Sequence, residues 1–213
     1  MKPATRRSAL VFGCSALLLA GCISVDVGNS DDNVRAQFRL DDLAPPAVPA
    51  GKTVARSLVV VSMPSLGIGD TFSIAYSRAP QQRALYQNAS WADRPSNRIV
   101  QLLVRRIDAR AAFTSVVELG SGVGGDLALN VTVDELLHDT AAARAKLDLT
   151  VELVDRRTRT LVARRRFVAT APVAQENARG AVEALSLALT SVLDELVPWL
   201  EASAAKLPAV ATR

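Results

Sequence analysis

The chain of 213 residues contains 49% hydrophobic and 4% aromatic residues, with 25 lysine and arginine residues against 21 aspartate and glutamate residues. Lys2, Arg6 and Arg7 belong to an N-terminal leader that we assign to residues 1–21, so the mature chain keeps 22 basic and 21 acidic residues. This nearly neutral balance excludes the electrostatic footprint of a nucleic-acid-binding protein.

The N-terminus has the pattern of a lipoprotein signal peptide. Its basic start precedes an apolar run over residues 9–20, which is shorter than the about 20 residues of a permanent membrane-spanning helix. Leu19, Ala20 and Gly21 then stand directly before Cys22, and this Leu-Ala-Gly-Cys sequence resembles a bacterial lipobox. The resemblance implies that Cys22 carries palmitate-type acyl chains and becomes the first mature residue. Because Cys14 lies in the leader, no thiol remains for a disulfide, a metal site or a nucleophile.

The mature chain is predicted to contain one folded domain on a short tether. Residues 22–35 comprise the lipidated cysteine and a polar, turn-rich tether with a flexible reach of about 20 Å. The folded body, residues 36–204, therefore lies close to the membrane that holds Cys22, and residues 205–213 form a C-terminal tail. The hydrophobic content is sufficient for one compact core without disulfides.

Three strands are predicted in the first part of the domain. A short strand covers residues 36–40, and a Pro-rich connection follows it. The β-branched apolar run over residues 54–63 predicts a buried strand, and a glycine-containing turn then leads to a strand over residues 70–76.

Two one-sided helices are predicted from apolar residues at three- and four-residue spacing. Pro95 opens the first helix, which has Ile99, Leu102, Leu103 and Ile107 on its apolar face and Arg98, Arg105 and Arg106 on the other. The second helix covers residues 175–202.

The segment between the helices is predicted to be rich in strands. Strands over residues 113–119, 126–133, 143–153 and 161–169 include two with strict alternation of apolar and polar side chains. Such alternation is typical of an antiparallel sheet with one dry face. We therefore predict a single α+β domain, an antiparallel β-sheet with two principal helices packed on one face.

Two features suggest catalysis, but neither lies in the sequence context that catalysis requires. Residues 120–125 match Gly-x-Gly-x-x-Gly, but a strand rather than a helix follows them, so they are predicted to form a turn and not a dinucleotide site. His138 is the single histidine, which is too few for a transition-metal site, and we expect it at a solvated strand end. The sequence thus predicts no enzyme activity, no metal and no cofactor.

Two basic runs, Arg105-Arg106 and residues 164–166, are predicted to be solvated faces. The alternative is contact with anionic headgroups or with an acidic partner surface.

Scarce aromatic residues cluster just before the first helix. Tyr76, Arg78, Tyr86 and Trp91 fall within one short stretch. They either start the helix and fill the edge of the core, or they form a surface that binds a partner.

The order of these residues resembles that of a known family. Tyr-x-Arg at residues 76–78, a later Tyr86 and Trp-Ala-Asp-x-Pro at residues 91–95 are similar to the ABC-type transport auxiliary lipoprotein family, paraquat-inducible protein C type. The similarity continues through Phe113, Asp126-Leu127-x-Leu129 and residues 164–167 to an Ala-rich helix ending near Trp199.

The resemblance implies a non-enzymatic lipoprotein in the envelope of a Gram-negative bacterium, facing the periplasm. Its expected partners are an MCE-domain substrate-binding protein with its ABC permease and ATPase, which carry lipid between the two membranes. Ile23 after Cys22 favours the outer membrane, and Tyr76, Arg78, Tyr86 and Trp91 are the expected partner-binding residues. A homo-oligomer remains open.

Two alternatives remain open at this stage. One is an outer-membrane lipoprotein that binds and activates a cell-wall synthase. The other is a periplasmic hydrolase with His138 as its base.

Overall fold

The computed structural model describes residues 35–65 and 70–208, and the leader, Cys22 and nearly all of the tether lie outside this range. The described residues form eight strands and two helices in one domain: β1 (Ala36–Phe38), β2 (Val54–Ser62), β3 (Ser73–Ser77), β4 (Ala84–Trp91), α1 (Pro95–Ala109), β5 (Phe113–Glu118), β6 (Leu127–Asp139), β7 (Arg144–Asp155), β8 (Thr160–Pro172) and α2 (Ala178–Ala205).

All eight strands belong to one sheet with β6 at its centre. Along one edge, β6 pairs antiparallel with β7, and β7 pairs antiparallel with β8. Along the other edge, the first half of β6 pairs parallel with β2, which also carries β5. The last residues of β6 pair parallel with β3, which continues through β4 to β1.

The prediction of a single α+β domain is confirmed, but the sheet is mixed and not purely antiparallel. The pairs β1–β4, β2–β5, β2–β6 and β3–β6 are parallel. Apolar alternation predicts which face of a strand is dry, and it contains no information about the direction of the neighbouring strand. The strongly alternating segments are β6 and β7, and these two strands do form an antiparallel pair.

One core lies between the dry face of the sheet and the two helices. In β7 the alternating residues Ala145, Leu147, Leu149, Val151 and Leu153 are all fully buried. They join one cluster with the apolar faces of α1 and α2. The predicted one-sided packing of both helices is confirmed.

The helix α1 begins at Pro95, as predicted, and its N-terminus is capped by a distant carboxylate. Arg94 at the N-cap makes no side-chain capping bond. Instead, the Ser96 backbone N–H donates to Asp70 Oδ1 at 3.0 Å. Asp70 thereby satisfies one of the free N–H groups of the first turn.

Arginines of α1 bind the connection between β1 and β2. Arg98 is 7% exposed, and its Nε donates to the carbonyl oxygen of Leu40 at 2.9 Å. The Arg106 side chain is 12% exposed and lies between Asp42 and Asp194. The predicted solvation of Arg106 is therefore wrong. Helical periodicity identifies the face on the sheet, but it does not predict that another chain segment covers the opposite face.

The glycine-rich loop between β5 and β6 crosses over β2. Because β5 and β6 pair with opposite edges of β2, residues 119–126 must pass across its face. A Cβ atom at Gly125 would lie 2.6 Å from Val59 Cγ2 and 3.2 Å from the Val59 backbone nitrogen. The glycines therefore make a structural turn, as predicted, and the absence of a side chain at Gly125 permits the crossing.

Substituting alanine for Gly125 is expected to lower the free energy of unfolding by about 1–3 kcal/mol, because Val59 is buried and cannot move away from the new methyl group. Urea denaturation measures the change. Gly124→Ala is the matched control, since a Cβ there meets no atom within 4 Å. Equal losses in the two variants would show that the crossing contact is unimportant.

Candidate functional site

Tyr76, Arg78 and Tyr86 come together where β3 ends and β4 begins. The two strands pair antiparallel, with Tyr76 opposite Ala84, so Tyr86 lies near Tyr76. The tyrosine ring centroids are 4.8 Å apart with an interplanar angle of 44°. The Arg78 guanidinium carbon lies 5.2 Å from the centroid of the Tyr76 ring. We call these three residues the tyrosine–arginine surface.

The surface is accessible from solvent. Arg78 is exposed and both tyrosines are of intermediate burial. A cation over the face of an aromatic ring is attracted by the ring quadrupole, and this attraction holds the Arg78 guanidinium over the Tyr76 ring. Arginine and tyrosine are among the residue types that dominate binding energy in protein interfaces.

His138 supports the tyrosine–arginine surface from inside the protein. It is fully buried near the end of β6, opposite Tyr76 of β3. Tyr86 Oη and His138 Nδ1 share a hydrogen bond of 2.7 Å. Nε2 of His138 has no hydrogen-bond partner within the described ranges. The prediction of a solvated strand end is wrong, because β6 continues for several residues beyond Val133.

Burial controls the protonation of both members of this hydrogen bond. Burial raises the pKa of the Tyr86 phenol, so the phenol keeps its proton at neutral pH. Burial also lowers the pKa of His138, and the nearby carboxylates of Glu176 and Asp139 oppose that shift. At neutral pH the imidazole is therefore uncharged.

The buried imidazole is expected to make stability depend on pH. Because the pKa of His138 is lower in the folded protein than the ordinary value of about 6.5, the unfolded chain binds the proton more readily. The free energy of unfolding therefore has its full value, as far as His138 is concerned, above about pH 6.5. It decreases as the pH falls below that value, because the unfolded chain then takes up the proton first. Urea denaturation from pH 7.5 to 5 measures this.

The chain offers a clean control for this titration because it contains one histidine. In His138→Gln the slope between pH 7 and 5 is expected to disappear, whatever the change in absolute stability. A wild-type slope that persists unchanged in this variant would assign the titration to another group.

Trp91 does not join the tyrosine–arginine surface. It lies at the far end of β4, opposite Phe38 of β1, and is 3% exposed within the core. Three of the four expected partner-binding residues are thus adjacent, and Trp91 fits the alternative of filling the core beside the start of α1.

The basic run in β8 is solvated, as predicted, and its members are paired. Arg164 contacts Glu152, Arg165 contacts Glu195, and Arg166 contacts Asp148. Their side chains remain 63%, 45% and 65% exposed. These local partners leave little net positive charge for anionic headgroups.

Within residues 35–65 and 70–208, no group of three or more histidine, cysteine, aspartate or glutamate side chains is placed to hold a metal ion. Neither of the described helices has the combination of length and hydropathy that crossing a membrane requires. The side chains of the tyrosine–arginine surface are suited to contact with the surface of another molecule.

A family model for the ABC-type transport auxiliary lipoprotein component matches residues 38–197. A search of curated protein sequences finds no match.

Two of the solved structures that match this chain align with about four fifths of its length. A Xanthomonas campestris protein described as DUF330 is 22% identical, with a TM-score of 0.73 over 80% of this chain and 97% of its own. A second structure, described as an uncharacterized protein, is 14% identical, with a TM-score of 0.62 over 78% of this chain and 99% of its own. At these identities the likeness concerns the fold alone.

Proposed function

Since the chain belongs to the ABC-type transport auxiliary lipoprotein component family, we propose that it is the lipid-anchored docking component of an MCE-associated intermembrane lipid transporter. Membership of this family places the protein in the cell envelope. The proposed partners are an MCE-domain substrate-binding protein and its ABC permease and ATPase. The family is one of transport auxiliaries and not of enzymes, which agrees with the expected lack of catalysis.

The anchor is proposed at Cys22, which follows the small residues Ala20 and Gly21. The outer membrane is the proposed location because Ile23 follows the cysteine. The folded body starts with β1 at Ala36, so a tether reaching about 20 Å keeps it near the membrane surface. An anchored body of this kind provides a fixed docking point for a transporter that extends from the opposite membrane.

The tyrosine–arginine surface is the proposed contact with the MCE-domain protein. The observation that carries this proposal is the position of Arg78 over the Tyr76 ring, with the Tyr86 ring beside Tyr76 and the Tyr86 hydroxyl hydrogen-bonded to the buried His138. A pre-organised aromatic and cationic surface loses little side-chain entropy on binding. Trp91 is left out of the contact because it is buried.

Co-purification from the cell envelope tests the proposed partnership. Cells that express the tagged full-length chain are cross-linked, and the proteins recovered with it are identified by mass spectrometry. Recovery of an MCE-domain protein together with the permease or ATPase is the expected result. Recovery of a cell-wall synthase with no MCE-domain protein would instead favour the alternative function and contradict the proposal.

A further inference from the structure

An open cavity of about 600 Å³ lies at the C-terminal end of α2. Its walls come from the start of β2, the residues just before it, Ala112 ahead of β5 and the last turns of α2. The apolar residues of the wall have small or medium side chains and include Val54, Ala112, Ala202, Ala204, Ala205 and Leu207. The volume falls within the range of about 300–1,000 Å³ that is typical of small-molecule sites.

Backbone hydrogen bonds hold the walls of the cavity in place. The Ala50 N–H donates to the carbonyl oxygen of Arg110 at 2.6 Å, and the Val54 N–H donates to that of Ala112 at 2.6 Å. These bonds fasten the segment before β2 to the end of α1 and the start of β5. The backbone that forms these walls is therefore held in a fixed position.

Among the described residues that line the cavity, Lys52 is the one cation without an ion-pair partner. Arg110 is paired with Glu201 through two hydrogen bonds of 2.8 and 2.9 Å. Arg56 is buried and paired with Asp155. Lys52 is exposed and forms no ion pair within the part of the chain that the structure describes. A ligand that fits has an apolar body and a negatively charged end.

We propose that this cavity binds the acyl chain of an anionic lipid, with the lipid headgroup beside Lys52. The apolar wall favours an acyl chain, because a polar group placed against it would lose hydrogen bonds to water without replacement. This lipid site extends the function beyond docking, and it does not depend on the identity of the transporter. Lipid binding is measured on the purified chain, so its outcome is independent of partner recovery.

The location of the cavity favours a lipid from outside the chain over the chain's own acyl group. The tether joins the body at β1, which lies beside the start of α2. The guanidinium carbon of Arg179 in α2 is 5.7 Å from the centroid of the Phe38 ring in β1. The cavity lies at the other end of this 28-residue helix, a distance of about 40 Å. That distance is about twice the mean reach of the tether, so the chain's own acyl group would have to hold the tether almost fully extended to enter the cavity.

Binding of palmitate to the full mature chain, residues 22–213 with Cys22→Ala, tests the proposal. Calorimetry is expected to show one saturable site. Ala202→Phe and Ala205→Phe fill the cavity and are expected to weaken binding at least about tenfold, since they displace two or more buried methylenes. Ser191→Phe is the matched control, because Ser191 is exposed on α2 and outside the cavity. Absence of saturable binding, or equal binding by all variants, would overturn the proposal.

A comparison of a charged and an uncharged ligand tests the position of the headgroup beside Lys52. Lys52→Gln is expected to weaken palmitate binding about threefold, as for an exposed ion pair, and to leave hexadecanol binding unchanged. Photo-crosslinking of a diazirine palmitate to the unsubstituted mature chain should label residues 50–56 and 201–207, and it needs no cavity variant. Labelling confined to other segments would overturn the site whatever the calorimetry shows.

Discussion

Replacing Cys22 with alanine is expected to move the protein from the membrane fraction to the soluble fraction almost completely. Acyl chains contribute about 0.8 kcal/mol for each buried methylene, and two or more chains together hold a protein stably on a bilayer. Neither described helix provides a membrane-spanning alternative. The experiment uses a leader cleaved by ordinary signal peptidase, so that the variant does not keep its own apolar segment. Fractionation followed by immunoblotting measures the distribution.

The control for this experiment is the same chain with Cys22 intact and its own leader, labelled with alkyne palmitate. It should carry the label and remain with the membranes, whereas the Cys22→Ala protein should carry none. The soluble variant should also unfold at the same temperature as the detergent-solubilised lipoprotein body. A Cys22→Ala protein that stays on membranes free of its transporter partners would contradict the lipid anchor.

The second large effect is expected at the buried ion pair between Arg56 and Asp155. Their side chains are 4% and 7% exposed, and Arg56 Nη1 lies 3.3 Å from Asp155 Oδ2. Arg56 Nη2 also donates to the carbonyl oxygen of Pro208 at 2.5 Å. Arg56→Ala leaves a buried carboxylate without its cation, so the free energy of unfolding should fall by about 3–5 kcal/mol. Chemical denaturation measures this loss.

The matched control is Arg164→Ala, which breaks the exposed pair with Glu152. Exposed pairs contribute about 0–1 kcal/mol, so this variant should be close to wild type. If Arg56→Ala were no more destabilising than Arg164→Ala, the ion pair that joins β2 to the end of β7 would not be the stabilising contact that the structure indicates.

The parts of the fold that the sequence predicted are those with strong local signals. Pro95 marks the start of α1, and the alternation in β7 identifies its buried face. The strand β4 was missed because its aromatic and polar residues do not alternate, and the structure shows the cause in its burial pattern, which changes from exposed to buried along the strand. Such a strand is specified by its neighbours and not by its own sequence.

The support that His138 gives to the site was also missed, for a related reason. A bulge between Val133 and Glu135 shifts the alternation of β6, so the strand seems to end early when read from sequence. The pairing of β6 with β7 indicates the burial of His138, because His138 lies opposite Ala145, a residue of the dry face. Residues directly opposite each other in an antiparallel pair point to the same face. The register of the hairpin, counted back from Ala145, therefore predicts that the His138 side chain lies on the dry face of the sheet.

The tyrosine–arginine surface could be predicted in part. The scarcity of aromatic residues drew attention to Tyr76, Tyr86 and Trp91, but composition does not distinguish a buried ring from an exposed one. The structure separates them, because Tyr86 lies near the start of β4 beside Arg78, whereas Trp91 lies at its end within the core.

The most direct test of the docking function is the affinity of the purified periplasmic MCE-domain partner for the mature chain and for Arg78→Ala. Arg78 is exposed, so the variant should fold, and loss of a central arginine contact is expected to weaken binding at least about tenfold. Arg157→Ala is the control, since Arg157 is also exposed and lies in the turn after β7, at the opposite end of β6. We expect Arg157→Ala to bind like wild type. Equal affinity of Arg78→Ala and wild type, or no binding of the MCE-domain protein at all, would contradict the account.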